Sequence, residues 1–259
     1  MGQALITRRG VPMLAPDVDD GYDQLINYTM LYDSGDECEE VTGGFTALAC
    51  RPYDSTKTAK APTLTKNADS MKIVGSRSSA GGVFTGNTLD LSEYNKAAVI
   101  VSAWSKPSAV GSTFVLFPLT RADKYQYPSN SRISIGGDGF HVSDVDYDGS
   151  AYCVCTTAEA YSYTITHLFL VKPDDIASLC GCAGLSVPAD LTTLIGDTEA
   201  LTTIFSSKLA VDFMTKQCTG DFMLGVVKNA TALGLLQASP YYTEVQANEH
   251  WTKFLAMVA

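Results

Sequence analysis

The chain has 259 residues, of which 18% are charged, and it carries a formal net charge of −10 with a pI near 4.7. An acidic chain without clustered Lys and Arg excludes broad nucleic-acid binding, which works by neutralising phosphates. No run approaches the roughly 18 uninterrupted apolar residues of a membrane span. The start lacks the apolar stretch and small-residue cleavage site of a secretory signal, so the chain is expected to be made in a cytoplasm.

Residues 1–24 read as a head piece, broken by Gly10, Pro12, Pro16 and Gly21 and too short to be a domain. Leu5, Ile6 and Thr7 have the composition of an edge strand offered to another protein, with Arg8 and Arg9 placed to reach acidic partner surfaces. The plain alternative is an unstructured terminus.

Residues 25–173 read as β structure. Apolar, β-branched runs recur at Tyr28 to Tyr32, Phe45 to Cys50, Met71 to Val74, Ala97 to Trp104, Thr113 to Leu119, Arg132 to Ile135, Ala151 to Thr156 and Tyr163 to Val171. Turn-rich clusters such as Gly43-Gly44, Gly86-Asn87 and Asp148-Gly149 separate them. Short strands with this punctuation and no interleaved helices predict an antiparallel β-sandwich, jelly-roll-like, rather than a parallel sheet.

Several motifs in this region bear on chemistry. Asp144, Asp146 and Asp148, followed by Gly149, match the first half of a calcium loop, but position twelve is Cys155 where a bidentate Glu is needed, which excludes an EF-hand. A partial calcium site and a solvated acidic turn both remain open. Asp123, Tyr125, Gln126, Tyr127 and Asn130 combine flat aromatic faces with amide and carboxylate groups, the set a sugar ring needs; tyrosines covering a sheet is the alternative. Seven cysteines argue against a disulfide framework, and Cys153 and Cys155 share a strand face as small buried side chains, with one residue between them where a zinc pair usually has more. His141, His167 and His250 lie in no nucleophile motif, and no Gly-rich phosphate loop occurs, so the chain is not expected to be an enzyme and no cofactor is implied.

Residues 174–259 change to Ala, Leu, Thr and Ser with helical spacing. Leu191-Thr-Thr-Leu194-Ile195-Gly196-Asp197 is echoed by Leu201-Thr-Thr-Ile204-Phe205-Ser206-Ser207, then more loosely to Leu233 and Leu236. A ten-residue step rotates the apolar stripe by about 80°, so one continuous helix cannot keep it on one side, whereas an array of short helices can. Such helices need stacking or another chain to bury their faces. The fold expected is therefore α+β: a docking arm over 1–24, a sandwich over 25–173 and a short-helix array over 174–259.

Three segments carry a resemblance. Ala4-Leu-Ile-Thr-Arg-Arg-Gly10, the run Leu31-Tyr-Asp33-Ser-Gly-Asp36 followed by Val41-Thr-Gly-Gly-Phe45, and the closing Ala210-Val-Asp-Phe-Met and Ala247-Asn-Glu-His-Trp-Thr-Lys-Phe-Leu255 together resemble phage and prophage virion structural proteins of the tail, fibre or baseplate, from viruses of Gram-positive bacteria. The resemblance implies a non-enzymatic virion component, docked to other virion proteins through Leu5, Ile6, Arg8 and Arg9 and self-associated, for instance as a trimer. A head fibre or capsid decoration protein, and a module that binds host-surface glycan, are the alternatives. Nucleic acid and membrane are not expected as partners.

Overall fold

The structure is a computed structural model. It describes residues 5–8, 11–14, 24–50, 58–75, 79–105, 114–120, 133–156 and 162–259, with side chains for 24–50, 58–75, 81–105, 120, 135–153 and 162–259. The chain divides into two compact units: residues 29–171, and residues 1–28 together with 172–259.

The chain opens with a hairpin in which β1 (Leu5–Arg8) runs antiparallel to β2 (Val11–Leu14), with Leu5 opposite Leu14 and Arg8 opposite Val11. Leu5 to Thr7, expected to lend an edge to another protein, thus pairs within its own chain. The two residues Arg9 and Gly10 separate two apolar runs by the interval a tight hairpin uses.

The first unit is built from β3 (Tyr28–Asp33), α1 (Glu39–Thr42), β4 (Phe45–Ala49), β5 (Thr58–Ala59), β6 (Thr63–Lys66), β7 (Met71–Val74), β8 (Ser79–Thr85), β9 (Leu89–Asp90), β10 (Lys96–Ser105), β11 (Phe114–Leu119), β12 (Ile133–Ile135), β13 (Gly139–Asp144), β14 (Ser150–Thr156) and β15 (Ser162–Val171). Among the described residues, one sheet runs β13-β10-β15-β7-β6 with β3 also on β15, and the other runs β12-β11-β14-β8-β4 with β9 on β14 and β5 on β8. All of these pairs whose register is defined are antiparallel except β5 with β8. Both sheets feed one core. Leu31, Tyr32, Met71, Ile73, Val99, Val101 and Tyr163 from the first meet Phe45, Val83, Ile135, Ala151 and Cys153 from the second. The Tyr32 and Phe45 rings meet edge-on at 6.3 Å. This is an antiparallel β-sandwich.

Along β15 the core residues are Tyr163 and Ile165, then Leu168 and Leu170, a break in the two-residue period of a strand. The pairing explains it: Val101 faces Ile165 while Ile100 faces His167, so a bulge absorbs Thr166 and resets which face points inward. A second irregularity between Ser102 and Ser105 holds Ala103 at φ 53°, and the Trp104 N–H donates to Asp138 Oδ1 at 2.6 Å.

The second unit is helical: α2 (Ile176–Cys182), α3 (Leu191–Gly196), α4 (Thr198–Ser206), α5 (Lys208–Gln217), α6 (Asp221–Lys228), α7 (Ala230–Gln237), α8 (Tyr242–Ala247) and α9 (Glu249–Val258). Four of the seven joints between these helices are single residues. Asp197, Ser207, Asn229 and Asn248 each close one helix in extended backbone and, with a side-chain oxygen, accept first-turn N–H groups of the next. One extended residue turns the chain axis sharply, which is how the rotating apolar stripe is kept inward. Helix α4 buries Leu201, Ile204 and Phe205, worth roughly 1.5–3 kcal/mol each over exposure, where isolated helices of this length are unstable. Helix α4 packs on α7 and α5, and α6 on α7, α9 and α3.

The segment Gln24 to Tyr28 belongs to this helical unit, where a boundary before residue 25 was expected. Leu25 N donates to Lys216 O at 2.9 Å, Asn27 N to Thr219 Oγ1 at 3.2 Å, and Lys172 N to Asn27 O at 2.6 Å. Tyr28 also meets the Phe254 ring at 4.9 Å. The strand that follows begins the sandwich, so the unit boundary falls inside an apolar run that sequence reads as one strand.

Candidate functional site

A cavity of about 230 Å³ opens in the sandwich unit. Its floor is Leu31, Val41, Leu89 and Leu170, and its rim is Thr29, Asp90, Glu93 and Tyr94. Thr29 and Leu31 share a face of β3 by the two-residue period. Leu170 comes from β15, Val41 from α1, and the remainder from β9 and the turn after it. That turn is tied down: Leu91 is 1% exposed, its N–H donates to Gly149 O at 2.8 Å, and Tyr94 N donates to Leu91 O at 3.1 Å. Asn95 N, next along, donates to Val171 O at 3.0 Å. The cavity is therefore pre-formed by backbone pairing.

Three of the four rim groups have defined hydrogen bonds. The Tyr94 and Thr29 hydroxyls hydrogen-bond at 2.7 Å across the mouth. Asp90 Oδ1 accepts from Ser92 N at 3.1 Å and Ser92 Oγ at 2.7 Å, and those bonds hold its carboxyl below the usual range, so it is ionised at any ordinary pH. An apolar floor under a few fixed polar groups is the usual make-up of a small-molecule site. The chemistry available is hydrogen bonding and charge.

The expected site residues fare differently. Asp123, Tyr125, Gln126, Tyr127 and Asn130 lie outside the described residues, as does Arg9; Leu5, Ile6 and Arg8 lie in β1, with side chains outside the description. Asp144 ends β13, where its Oδ1 accepts from Lys96 Nζ at 2.8 Å. Asp146 and Asp148 are exposed in the following loop, and no three metal-ligating side chains converge among the described residues. Cys153 is buried in the core, and burial pushes its thiol up to about 12. Trp104, at the end of the apolar run from Ala97, is half-buried against the core, with its ring 5.9 Å from Tyr163.

The structure also assembles a group not apparent in the sequence. The hairpin turn at Ser34 and Gly35, with φ 47° and 104°, sets Ser34 Oγ 3.0 Å from His167 Nε2. Asp33 Oδ1 lies 3.5 Å from that same nitrogen, while Nδ1 faces Thr166 Oγ1 at 3.1 Å. A nucleophile triad needs the carboxylate on the nitrogen opposite the serine. Here acid and hydroxyl compete for one nitrogen, so the histidine orients a turn and does not activate Ser34.

The sequence signal for this cavity is the one that marks 123–130, an aromatic flanked by carboxylates, and it is present in Asp90-Leu-Ser-Glu93-Tyr94 between two of the predicted strands.

No protein-family model matches the sequence, and no curated protein matches it. Among solved structures, the chain has a distant likeness to a low-affinity xylan-binding module of family 86 from Roseburia intestinalis, 11% identical over 50% of this chain and 96% of that one, with a TM-score of 0.33. Two variants of a family 29 carbohydrate-binding module are 16% and 13% identical, over 55% and 49% of this chain and 90% of each of theirs, with TM-scores of 0.35 and 0.31. Likeness this distant fixes neither fold nor ligand, and the fold rests on the sheet pairing described above.

Proposed function

We propose that this chain is a non-catalytic attachment protein whose sandwich unit binds glycan in the cavity rimmed by Thr29, Asp90, Glu93 and Tyr94. The observation that carries this reading is the pre-formed cavity, with room for a sugar ring. Its leucine floor suits the apolar C–H face of a pyranose, and its rim suits hydroxyl groups, which both donate and accept. A single shallow cavity gives weak binding, and many copies on one particle turn weak contacts into firm attachment.

A virion provides that repetition. The sequence resemblance of residues 4–10, 31–45 and the closing helices to phage structural proteins supports a place in the tail, fibre or baseplate, with a head fibre or decoration role as the alternative within the same class. The test has two arms. Glycan-array binding of the purified chain, compared with Tyr94→Ala, is expected to show loss of about tenfold or more in the variant, and no binding by either protein refutes the glycan reading. Antibody-gold labelling of phage particles is expected to mark the tail apparatus; gold on the head moves the protein to a decoration role, and unlabelled particles refute the virion setting.

A further inference from the structure

We infer that this cavity selects its ligand by charge: it takes hexosamine glycan carrying a free ammonium group in preference to the N-acetylated form, and it rejects uronate and phosphate-bearing glycan. The inference rests on the glycan reading proposed above and specifies its ligand.

Two of the four rim residues, Asp90 and Glu93, are carboxylates, and both are exposed at the mouth rather than buried in the sandwich. No Lys, Arg or His is among the described residues that line the cavity. The Ser92 hydrogen bonds both fall on Asp90 Oδ1, which fixes the carboxylate in the turn and leaves Oδ2 without a hydrogen bond from the described side chains and backbone. Asp90 and Tyr94 come from the two ends of one short tied turn, so the carboxylate and the phenol are held together beside the leucine floor. A sugar ring seated on that floor presents its equatorial substituents to the rim. An ammonium there gains a charge-assisted hydrogen bond, stronger than one from a hydroxyl or an amide. A carboxylate or phosphate there meets like charge, and the chain's net charge of −10 adds repulsion at longer range.

The test uses the full chain and three probes in calorimetric titration: fully N-acetylated chitotetraose, its de-N-acetylated counterpart, and a galacturonate oligomer of equal length. At about 0.01 M ionic strength the de-N-acetylated oligomer is expected to bind about tenfold tighter than the acetylated one, and the galacturonate not measurably. At about 1 M salt, where charges are screened within about 3 Å, that preference should shrink towards one on the unmodified protein. Asp90→Asn keeps an acceptor for Ser92, so the turn survives; combined with Glu93→Gln it should bring the ratio of the two chito-oligomer affinities close to one. A merely structural role would weaken both oligomers equally and leave the ratio intact. Galacturonate binding as tight as the amino sugar, or an amino-sugar preference that is absent or insensitive to salt, overturns the charge selection while the glycan reading stands. If no saccharide binds, the glycan reading itself falls.

Discussion

Replacing Asp174 tests the account of how the helical unit closes. The residue at the N-cap of helix α6 is Gly220, which has no side chain to cap it. The cap comes from far away in the chain: Asp174 Oδ2 accepts from Gly220 N at 3.0 Å and Phe222 N at 2.9 Å, while Oδ1 accepts from Asn27 Nδ2 at 2.6 Å. Asp221 returns the contact, its Oδ1 accepting from Asp174 N at 2.8 Å. In Asp174→Ala, Asn27 Nδ2 keeps Gln217 O at 3.5 Å, so the two helix N–H groups are the ones orphaned. At about 1–3 kcal/mol each, less the relief of removing a desolvated carboxyl, the net loss is about 2–4 kcal/mol. At roughly 4 °C per kcal/mol for a unit of this size, Tm falls by about 8–16 °C. Asp174→Asn keeps one oxygen for both helix N–H groups, and its amide can face the Asn27 oxygen once that side chain turns over; it should stay within about 1 kcal/mol of wild type.

The pH dependence separates the two roles of this carboxyl. Burial pushes Asp174 up to about 8, outweighing the hydrogen bonds that favour its anion, with the neighbouring Asp221 charge adding to the rise. The folded state then holds the proton more tightly than the unfolded state, so this contribution is fully present below about 4 and is lost as pH rises to about 8. Denaturant titrations at intervals from pH 5 to 8 should show the helical transition of the wild type weakening relative to that of Asp174→Asn as pH rises. An alanine variant as stable as wild type, or an asparagine variant as damaged as alanine, would refute the capping role. A wild-type transition that strengthens with pH relative to the asparagine variant would refute the protonation argument.

Gly220→Ala is expected to cost about 1–3 kcal/mol by overpacking, because a Cβ there would lie 2.4 Å from Lys172 O and 2.6 Å from Asn27 Cβ; circular dichroism melts check it. Asn248→Ala should lose about 1–2 kcal/mol, since one side chain caps α9 through His250 N and Trp251 N and also donates to Thr215 O at 2.9 Å; urea unfolding followed by Trp251 fluorescence reads this. Burial pushes Cys153 up to about 12 and, with the Asp175 charge adding, Cys182 up to about 11, so neither should react with iodoacetamide at pH 8 until denaturant is added; mass spectrometry of native-state labelling at either site would contradict the burial.

Sequence located most of the sandwich because strand formation is locally encoded. Met71 to Val74 and Phe45 to Ala49 alternate or concentrate apolar side chains between turn residues, and the structure pairs them as strands. It missed β5, β6, β8, β9 and β13: β5 and β9 are two residues long, β6 is mostly polar, and Gly81-Gly82 and Gly139 dilute the strand signal of the other two, so all five are held in place by their neighbours. The bulge at Thr166 was equally hidden, because a strand's phase can be reset only by the strand it pairs with.

The sequence by itself determined the composition of the chain, the succession of strands and then short helices, and the helix breaks at Asp197 and Ser207, since capping and period are interactions among residues a few positions apart; the joints at Asn229 and Asn248 were not marked by it. Tertiary structure decided the rest. The cavity needs Thr29, Val41, Asp90, Tyr94 and Leu170 at one place, and the α6 cap needs Asn27, Asp174 and Gly220; these residues are distant in the chain, and only sheet register and helix packing bring them together. The same Asp-Leu-Ser-Glu-Tyr turn would be an ordinary acidic loop without the leucine floor that the sheet places beneath it.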